Sequence, residues 1–583
     1  MACQGVAQSS TEAAPATAHG VEAGPRRWPD RAEPQTERRR LVARVPEDAV
    51  PGETKLRIRV GPEESLVARV PASACPGADG LAFMRDGSGS WCAELVPGQV
   101  LQASSLVADP SPGKICTSVT LTHVALDPDQ GFQELREAAV AAGAVVSPKI
   151  RRSSVEGLGI AGMVAHEPIE EGELLLSIPS SLHLTPSRLS RAMPELHAAV
   201  CSLPGLCDRL RVEVTHAACL AAMLGEAICR AEALASGGAE EPPPASAAAR
   251  VWARYCDALL GEDFSDHPYW RCLDDAEQAR ALLAPSREYE HAGAMVRELV
   301  RAYWAIARGV AAELLGTRFD AGLLIQARLC VLSRVFRTSE RYAAVPLVDL
   351  FNHSEQPGAA WLWDAGRDAM VVTACRAHAP QEQICISYGA HSNPLLFRTY
   401  GFTLPPGAEP SWTFVLQGTK PRALYEKYLP ARHAELNIHL DSAQFQDSLV
   451  EALNACAEVG QDPREFLLEL CRQCQRPYED DPLLRPALAA LARRRGSDPS
   501  SGAWWEEAVP ARAARWEEPC RRVKMSEYLC LVAHAEAAEV ALGRPPAGGG
   551  CLAAAATVRS LLADAFEELR QHGRFGIDVR PAC

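Results

Sequence analysis

Apolar and polar positions along this chain change their spacing from region to region, and each spacing predicts a different element. Leu56, Ile58 and Val60 alternate with Lys55, Arg57 and Arg59, the period of a half-buried strand. A repeat runs through the same region: Leu41-Val42-Ala43-Arg44-Val45-Pro46 returns as Leu66-Val67-Ala68-Arg69-Val70-Pro71, and Pro51-Gly52 returns as Pro76-Gly77. Val96-Pro97-Gly98 reads as a decayed third copy. Pro-Gly pairs supply turns between the copies. Residues 39–105 are therefore expected to form a small β-repeat module, suited to interaction more than to chemistry. Residues 1–38 mix Ala, Pro and Ser without apolar periodicity and are expected to be disordered.

After a polar linker near residues 106–127, the pattern predicts a short helix over 132–142. Two strands follow around 163–165 and 174–178, separated by the Glu171-Gly172 turn. From 186 to 330 the apolar period becomes helical, most clearly over 214–228 and 294–314. Gly237-Gly238 and Pro242-Pro243-Pro244 interrupt it as a low-complexity, solvent-exposed loop. Short strands return from 345 to 402. Beyond Pro405-Pro406 the chain reads as helical to its end, with Met525, Tyr528, Leu529 and Val532 forming one core stripe. The expected class is α+β. A split β-rich domain over 128–410 carries a helical insert at 186–330, and an all-α region occupies 411–583.

Length and charge narrow the function. A chain of 583 residues suggests three or four domains. A net charge of −14 argues against holding nucleic acid by phosphate neutralisation, though it would attract a basic protein substrate. No run approaches the roughly 18 apolar residues of a membrane span, so no membrane partner is expected. The N-terminus lacks the apolar core of a secretory signal. Arg38-Arg39-Arg40 is offset by Glu12, Glu22, Asp30, Glu33 and Glu37, which weakens a transit-peptide reading. A monomer in the cytoplasm or nucleus is expected. The 20 cysteines then read as reduced thiols. Cys471-Arg472-Gln473-Cys474 has no second pair to complete a metal site, and none is expected.

Two stretches carry the chemistry. One is Val345-Pro346-Leu347-Val348-Asp349-Leu350-Phe351-Asn352-His353-Ser354. The other is Ile384-Cys385-Ile386-Ser387-Tyr388-Gly389, followed by Ser392-Asn393 and then Tyr400-Gly401-Phe402. Each begins as an apolar strand and ends on small or polar residues, which is how a site is mounted on a β scaffold. Together and in this order they resemble the SET-domain protein methyltransferases, in the branch of Rubisco large-subunit lysine methyltransferase and actin-histidine methyltransferase. The likeness covers residues 128–410; over 411–583 it rests on helical character and position alone.

That resemblance implies S-adenosyl-L-methionine (AdoMet) as cofactor, a C-terminal helical substrate-binding domain, and a pseudoknot through which the second stretch threads. It makes a plastid a further candidate location. Gly157-Leu158-Gly159-Ile160-Ala161-Gly162 matches the dinucleotide pattern G-x-G-x-x-G. That reading needs a helix to follow, and Pro168 and Gly172 among strand-like runs leave no room for one. The competing reading is a tight loop with its backbone close to a ligand. The resemblance makes this the AdoMet loop, with Glu156, Gly157 and Leu158 in contact and Glu156 facing the cofactor ammonium. Arg334, after a helix-like run from 324 to 332, needs an anion in its apolar surroundings. The family likeness gives it the cofactor carboxylate, the alternative being a structural salt bridge. Asp349, Asn352 and His353 would bracket the adenine and methionine parts, with Ser392 and Asn393 adding contacts. His353 is expected to serve through its backbone and not as a general base.

Tyr388 is the expected catalytic residue. Methyl transfer needs a neutral amine, and a lysine with pKa about 10.4 is neutral roughly once in 2,500 at pH 7, a cost of about 4.6 kcal/mol. A narrow, dry channel lowers that pKa, and a tyrosine hydroxyl orients the amine. Tyr400 and Phe402 are expected to line the same channel. No cysteine cluster follows Phe402, so no zinc site of the kind found in histone-modifying relatives is expected. Relatives that methylate histidine carry Asn and Trp where this chain has Phe336 and Val348. An apolar pair there suits a lysine stem. The leading expectation is a protein-lysine N-methyltransferase acting on a non-histone protein. A histidine methyltransferase and a catalytically silent adaptor are the alternatives.

Overall fold

The computed structural model of the chain describes residues 40–44, 55–59, 65–69, 80–85, 91–96 and 128–572, the last range with breaks at 156–159, 204–205, 236–245, 263, 310–318, 320, 339–340, 418–419, 494–504, 506–515 and 547–552. Two compact units emerge, Met1–Lys114 and Ile115–Cys583. The expected disorder over 1–38, the polar linker near 106–127 and the loop around 237–244 lie outside the described residues.

In the first unit, strands Arg40–Arg44, Gly80–Arg85 and Trp91–Val96 form an antiparallel sheet with Gly80–Arg85 in the middle. Lys55–Arg59 and Ser65–Arg69 pair separately as a hairpin. The two clear repeat copies thus enter different sheets. Leu41 stands opposite Phe83, whereas Leu66 stands opposite Ile58. Identical local sequence fixes the strands, and their partners are set elsewhere.

In the second unit, Ala359–Asp364, Ala369–Ala374, Leu174–Pro179 and Val145–Val146 form a four-stranded antiparallel sheet in that order. A hairpin of Ile150–Val155 and Ile160–Ala165 lies beside it. Residues 382–384 join the hairpin's free edge, with Ala165 N–H donating to Glu382 O at 2.9 Å and Ile384 N–H to Met163 O at 2.8 Å. The chain then continues as Cys385–Ile386, parallel to Asn352–His353. One short segment therefore ties the strand at 160–165 to the motif at 352–353.

The apolar strand expected to begin at Val345 is instead a turn. Pro346 withholds a donor, Leu347 adopts a left-handed φ of 73°, and Val348–Leu350 form a single 3-10 turn. Only Asn352–His353 pair. A helix, Asn393–Tyr400, also occupies a region expected to hold strands. Its signals are Pro394 in the first turn and Gly401 at the left-handed C-terminal cap (φ 79°). The intervening run Leu395-Leu396-Phe397 is too short for its period to separate helix from strand.

The insert packs directly on the strands. Helix Asp208–Ala235 lies against Ala321–Arg334, and Val214, Leu224, Leu324, Leu176 and Met370 share one core with no exposed surface. Among the described residues, Leu210–Arg230 is long and apolar enough to cross a membrane, against the expectation from the sequence; 67% of its most apolar window is buried in the fold, which accounts for that composition.

A second core surrounds helix Glu517–Ala541, packed by Pro463–Glu479 and Ala553–His572. Met525 and Leu529 are fully buried there, with Tyr528 and Val532 at its margin. The region is not all-α. Thr413–Leu416 and Ile438–Asp441 pair antiparallel, a ladder of four residues whose alternation is too brief to register in sequence. Leu283, Phe397, Trp516 and Val523 pack together and join the insert, the helix at 393–400 and the C-terminal helices.

Candidate active site

Asp349 is buried at the turn that follows Leu347, and its carboxylate must be paired to remain there. The Tyr255 hydroxyl, from the insert helix Ala247–Leu260, donates to Asp349 Oδ2 at 2.7 Å. Arg334, the last residue of helix Ala321–Arg334, donates from Nη1 to the Asp349 backbone carbonyl at 2.9 Å and approaches Oδ2 at 3.3 Å. Its other terminal nitrogen meets Glu262 at 2.5 Å, and Arg152 meets the second oxygen of Glu262, also at 2.5 Å. Two guanidiniums and two carboxylates thus form one mostly buried chain of alternating charge. Burial pushes Glu262 up, but Arg334 and Arg152 outweigh it and hold the carboxyl below its ordinary range. Burial dominates at Asp349 and raises it despite Arg334.

This network uses two insert residues, Tyr255 and Glu262, that no motif announced. Tyr255 lies 94 residues from Asp349, and neither residue stands in a local pattern that marks it. Arg334 itself is occupied by protein carboxylates at both terminal nitrogens. Its Nε, like Asp349 Oδ1, has no partner among the described residues.

Asn352 donates from Nδ2 to the Ala161 carbonyl at 3.2 Å. A methyl group on Gly162 would lie 2.6 Å from Asn352 Nδ2 and 2.7 Å from Gln383 Nε2. The last glycine of the G-x-G-x-x-G pattern is thus required because two side-chain amides converge on it, and a strand follows where a phosphate-binding helix would begin. Gln383 Nε2 is buried without a partner among the described residues. It borders the same motif and was not singled out in the sequence. Glu156, Gly157 and Leu158 lie outside the described residues.

Tyr388 is held at both ends. Its hydroxyl donates to the Phe351 carbonyl at 2.8 Å, and its backbone N–H donates to His353 Nδ1 at 3.1 Å. Burial raises the hydroxyl well above the ordinary tyrosine range, so Tyr388 remains a phenol and does not act as a base. The Tyr388 ring centroid lies 4.8 Å from Tyr400, 5.2 Å from His353 and 6.4 Å from Phe402. Burial pushes Tyr400 up to about 12. Phe336 packs edge-on to Trp361 at 5.0 Å, and the Trp361 indole donates to Ser387 O at 3.1 Å. Trp361 thus bonds the residue that precedes Tyr388, a contact invisible in sequence because its strand carried no motif. Val348 is fully buried.

Ser392 and Asn393 face the protein. The Ser392 and Thr413 hydroxyls share a hydrogen bond at 2.7 Å. The Asn393 amide clamps the Leu404 backbone, donating to its carbonyl at 3.0 Å and accepting its N–H at 2.7 Å.

The decisive match spans these elements: residues 161–389 fit the family model described as SET domain. The match is to a SET domain, over that stretch of the chain. Its ends are the strand that holds Gly162 and the residues around Tyr388. Two solved structures are similar to the chain at 16% identity. One, the SET domain of LSMT bound to lysine and AdoHcy, has a TM-score of 0.47 and covers 70% of this chain and 91% of its own. The other, Rubisco LSMT bound to AdoMet, has a TM-score of 0.46 and covers 70% of this chain and 92% of its own. No curated protein matches the chain.

Proposed function

We propose that this SET domain is an AdoMet-dependent protein-lysine N-methyltransferase. The observation that carries the reading is the placement of Tyr388. Its hydroxyl is pinned to the Phe351 carbonyl where Asn352–His353 runs beside Cys385–Ile386, with the Tyr400 and Phe402 rings against it and the Trp361 indole on the preceding Ser387 carbonyl.

The chain's polar atoms suit a zwitterionic, purine-bearing ligand. Among the described residues, Gln383 Nε2, which converges with Asn352 on Gly162, and Arg334 Nε are donors without partners, and Asp349 Oδ1 is an acceptor without one. Asn352, His353, Asp349, Arg334 and Gln383, with the loop at Glu156, Gly157 and Leu158, would hold AdoMet, while Ser392 and Asn393 brace the helix end behind them. When bound, AdoMet supplies a methyl group activated by a sulfonium. Tyr388 gives its hydrogen to Phe351 O, which leaves its oxygen lone pairs to accept an N–H of the incoming amine. That contact aims the nitrogen lone pair, so the residue works by orientation. Apolar Phe336 and Trp361 line the approach, which favours a lysine stem over an imidazole that needs a hydrogen-bond partner.

A non-histone protein substrate is proposed because no cysteine cluster of the kind found in histone-modifying relatives follows Phe402. Helices over 411–583 are proposed as its docking element. The test is transfer of radiolabelled methyl groups from AdoMet into a cell lysate, with the modified residue mapped by mass spectrometry. Label on lysine that disappears with Tyr388→Phe supports the reading, and methyl-histidine alone would overturn it.

One observation favours a second reading, a silent SET-fold adaptor: Glu262 and Asp349 already occupy both terminal nitrogens of Arg334. Calorimetry with AdoMet separates the two, because the adaptor would bind none.

A further inference from the structure

We propose that Glu355 is a positioning residue for Tyr388, acting through His353. The inference rests on the reading of Tyr388 as the group that orients the substrate amine. Its geometry, however, stands independently of that reading.

A neutral imidazole has one donor nitrogen and one acceptor nitrogen. The Tyr388 backbone N–H points at His353 Nδ1, 3.1 Å away, so Nδ1 must be the acceptor. Nε2 then carries the hydrogen, and Glu355 Oε1 lies 2.9 Å from it, ready to accept. The opposite tautomer would set two N–H groups against each other and leave the Glu355 carboxylate facing a lone pair. Glu355 therefore selects the tautomer that holds the Tyr388 backbone.

His353 has no freedom to ignore this choice. Its side chain is only 2% exposed, its ring centroid sits 5.2 Å from that of Tyr388, and its backbone is fixed in the parallel pair with Ile386. Glu355 is held nearby because the turn it sits in is braced, with Gln356 N–H donating to Ser354 Oγ at 3.1 Å and Ser354 N–H to Ile386 O at 3.0 Å. The Glu355 side chain is 30% exposed, so truncating it opens no internal cavity. Tyr388 is anchored at three points, its hydroxyl on Phe351 O, its N–H on His353 Nδ1 and its carbonyl on His391 Nε2 at 3.0 Å, and Glu355 governs the second.

The test uses the full chain with 15N-labelled histidine, comparing Glu355→Ala with Glu355→Gln, whose carboxamide oxygen still accepts. Glu355→Ala should turn the single Nε2–H tautomer of His353 into a mixture and speed hydrogen exchange at the Tyr388 amide. With AdoMet and a methyl-accepting lysate protein, kcat should fall about tenfold with the KM for AdoMet unchanged, the scale of a small misplacement. Glu355→Gln should restore all three readouts. An unchanged tautomer and amide exchange in Glu355→Ala would overturn the relay, and a shifted tautomer with unchanged kcat would overturn its positioning role. If the wild-type chain transfers no methyl group, the function proposed above fails, while the tautomer and exchange readouts still decide whether Glu355 controls His353.

Discussion

Glu262, from the helical insert, meets Arg334 at 2.5 Å and joins it to Arg152 on the strand Ile150–Val155. The pair makes the insert part of the site, because Arg334 also carries the Asp349 turn. Breaking one member of a mostly buried ion pair leaves its partner uncompensated. Glu262→Ala should therefore destabilise the chain by about 3–5 kcal/mol, read by urea unfolding. Tyr255→Phe removes one donor from Asp349 at nearly constant volume and should cost about 1–3 kcal/mol. A Glu262→Ala chain as stable as the parent would mean that the network is not closed in solution.

Gly162 gives a sharper test of the cofactor region. Gly162→Ala places a methyl group within 2.7 Å of both the Asn352 and the Gln383 amides, which must then move. Asn352→Ala removes the bond to Ala161 O and leaves space. Both should weaken AdoMet binding by calorimetry, with Asn352→Ala leaving the melting temperature nearly unchanged. Wild-type affinity in both variants would remove this face from the cofactor site.

The contrast between these two regions shows how much was legible. Asn352, His353 and Tyr388 announced themselves because small and polar residues end an apolar run there. The insert, its helical period and the helices around Met525 and Leu529 followed from apolar spacing alone. Tyr255, Glu262 and Gln383 did not, because their roles come from tertiary proximity across long separations. The strand expected to begin at Val345 fails for a local reason, the left-handed Leu347 behind Pro346. Arg334 reads from the sequence as needing an anion, and nothing local shows that the insert supplies one.

Tyr388→Phe tests the chemistry. The change deletes one hydroxyl and its bond to Phe351 O, so stability should shift by only about 1 kcal/mol. The rate should fall by about 10²-fold or more if the hydroxyl aims the amine. Because burial keeps Tyr388 protonated, its loss should not change the shape of the pH profile. Wild-type and variant rates should both rise with pH as the substrate amine deprotonates. Near-normal turnover in the variant would move the role elsewhere, with Tyr400 the next candidate.

Substrate class turns on Phe336. Its ring, packed on Trp361, offers no donor or acceptor. A lysine stem gains about 0.8 kcal/mol for each methylene buried against it. Phe336→Asn should lower lysine turnover, measured as KM and kcat on a mapped peptide. A rise in turnover would show that the wall is not where the substrate lies.

The joint between the insert and the C-terminal helices carries a pH dependence of its own. Glu527 is fully enclosed and accepts from the Ser286 and Tyr478 hydroxyls, each at 3.0 Å. Burial first, and the nearby charge of Glu288 second, push it up to about 8. Glu409, which accepts from the Asn393 N–H at 2.9 Å, is likewise pushed up to about 8, chiefly by burial. In the unfolded chain both return to the ordinary value near 4.5. The folded chain therefore binds more protons between those values, so the stability these groups contribute is complete below the lower one and is lost as pH rises through the upper. Melting temperature should fall as the buffer is taken from about pH 6 to about pH 8.5, and Glu527→Gln, which cannot ionise, should flatten that fall. Calorimetry across the window decides it: a melting temperature that climbs, or a slope that Glu527→Gln leaves untouched, would show that Glu527 is charged in the folded protein.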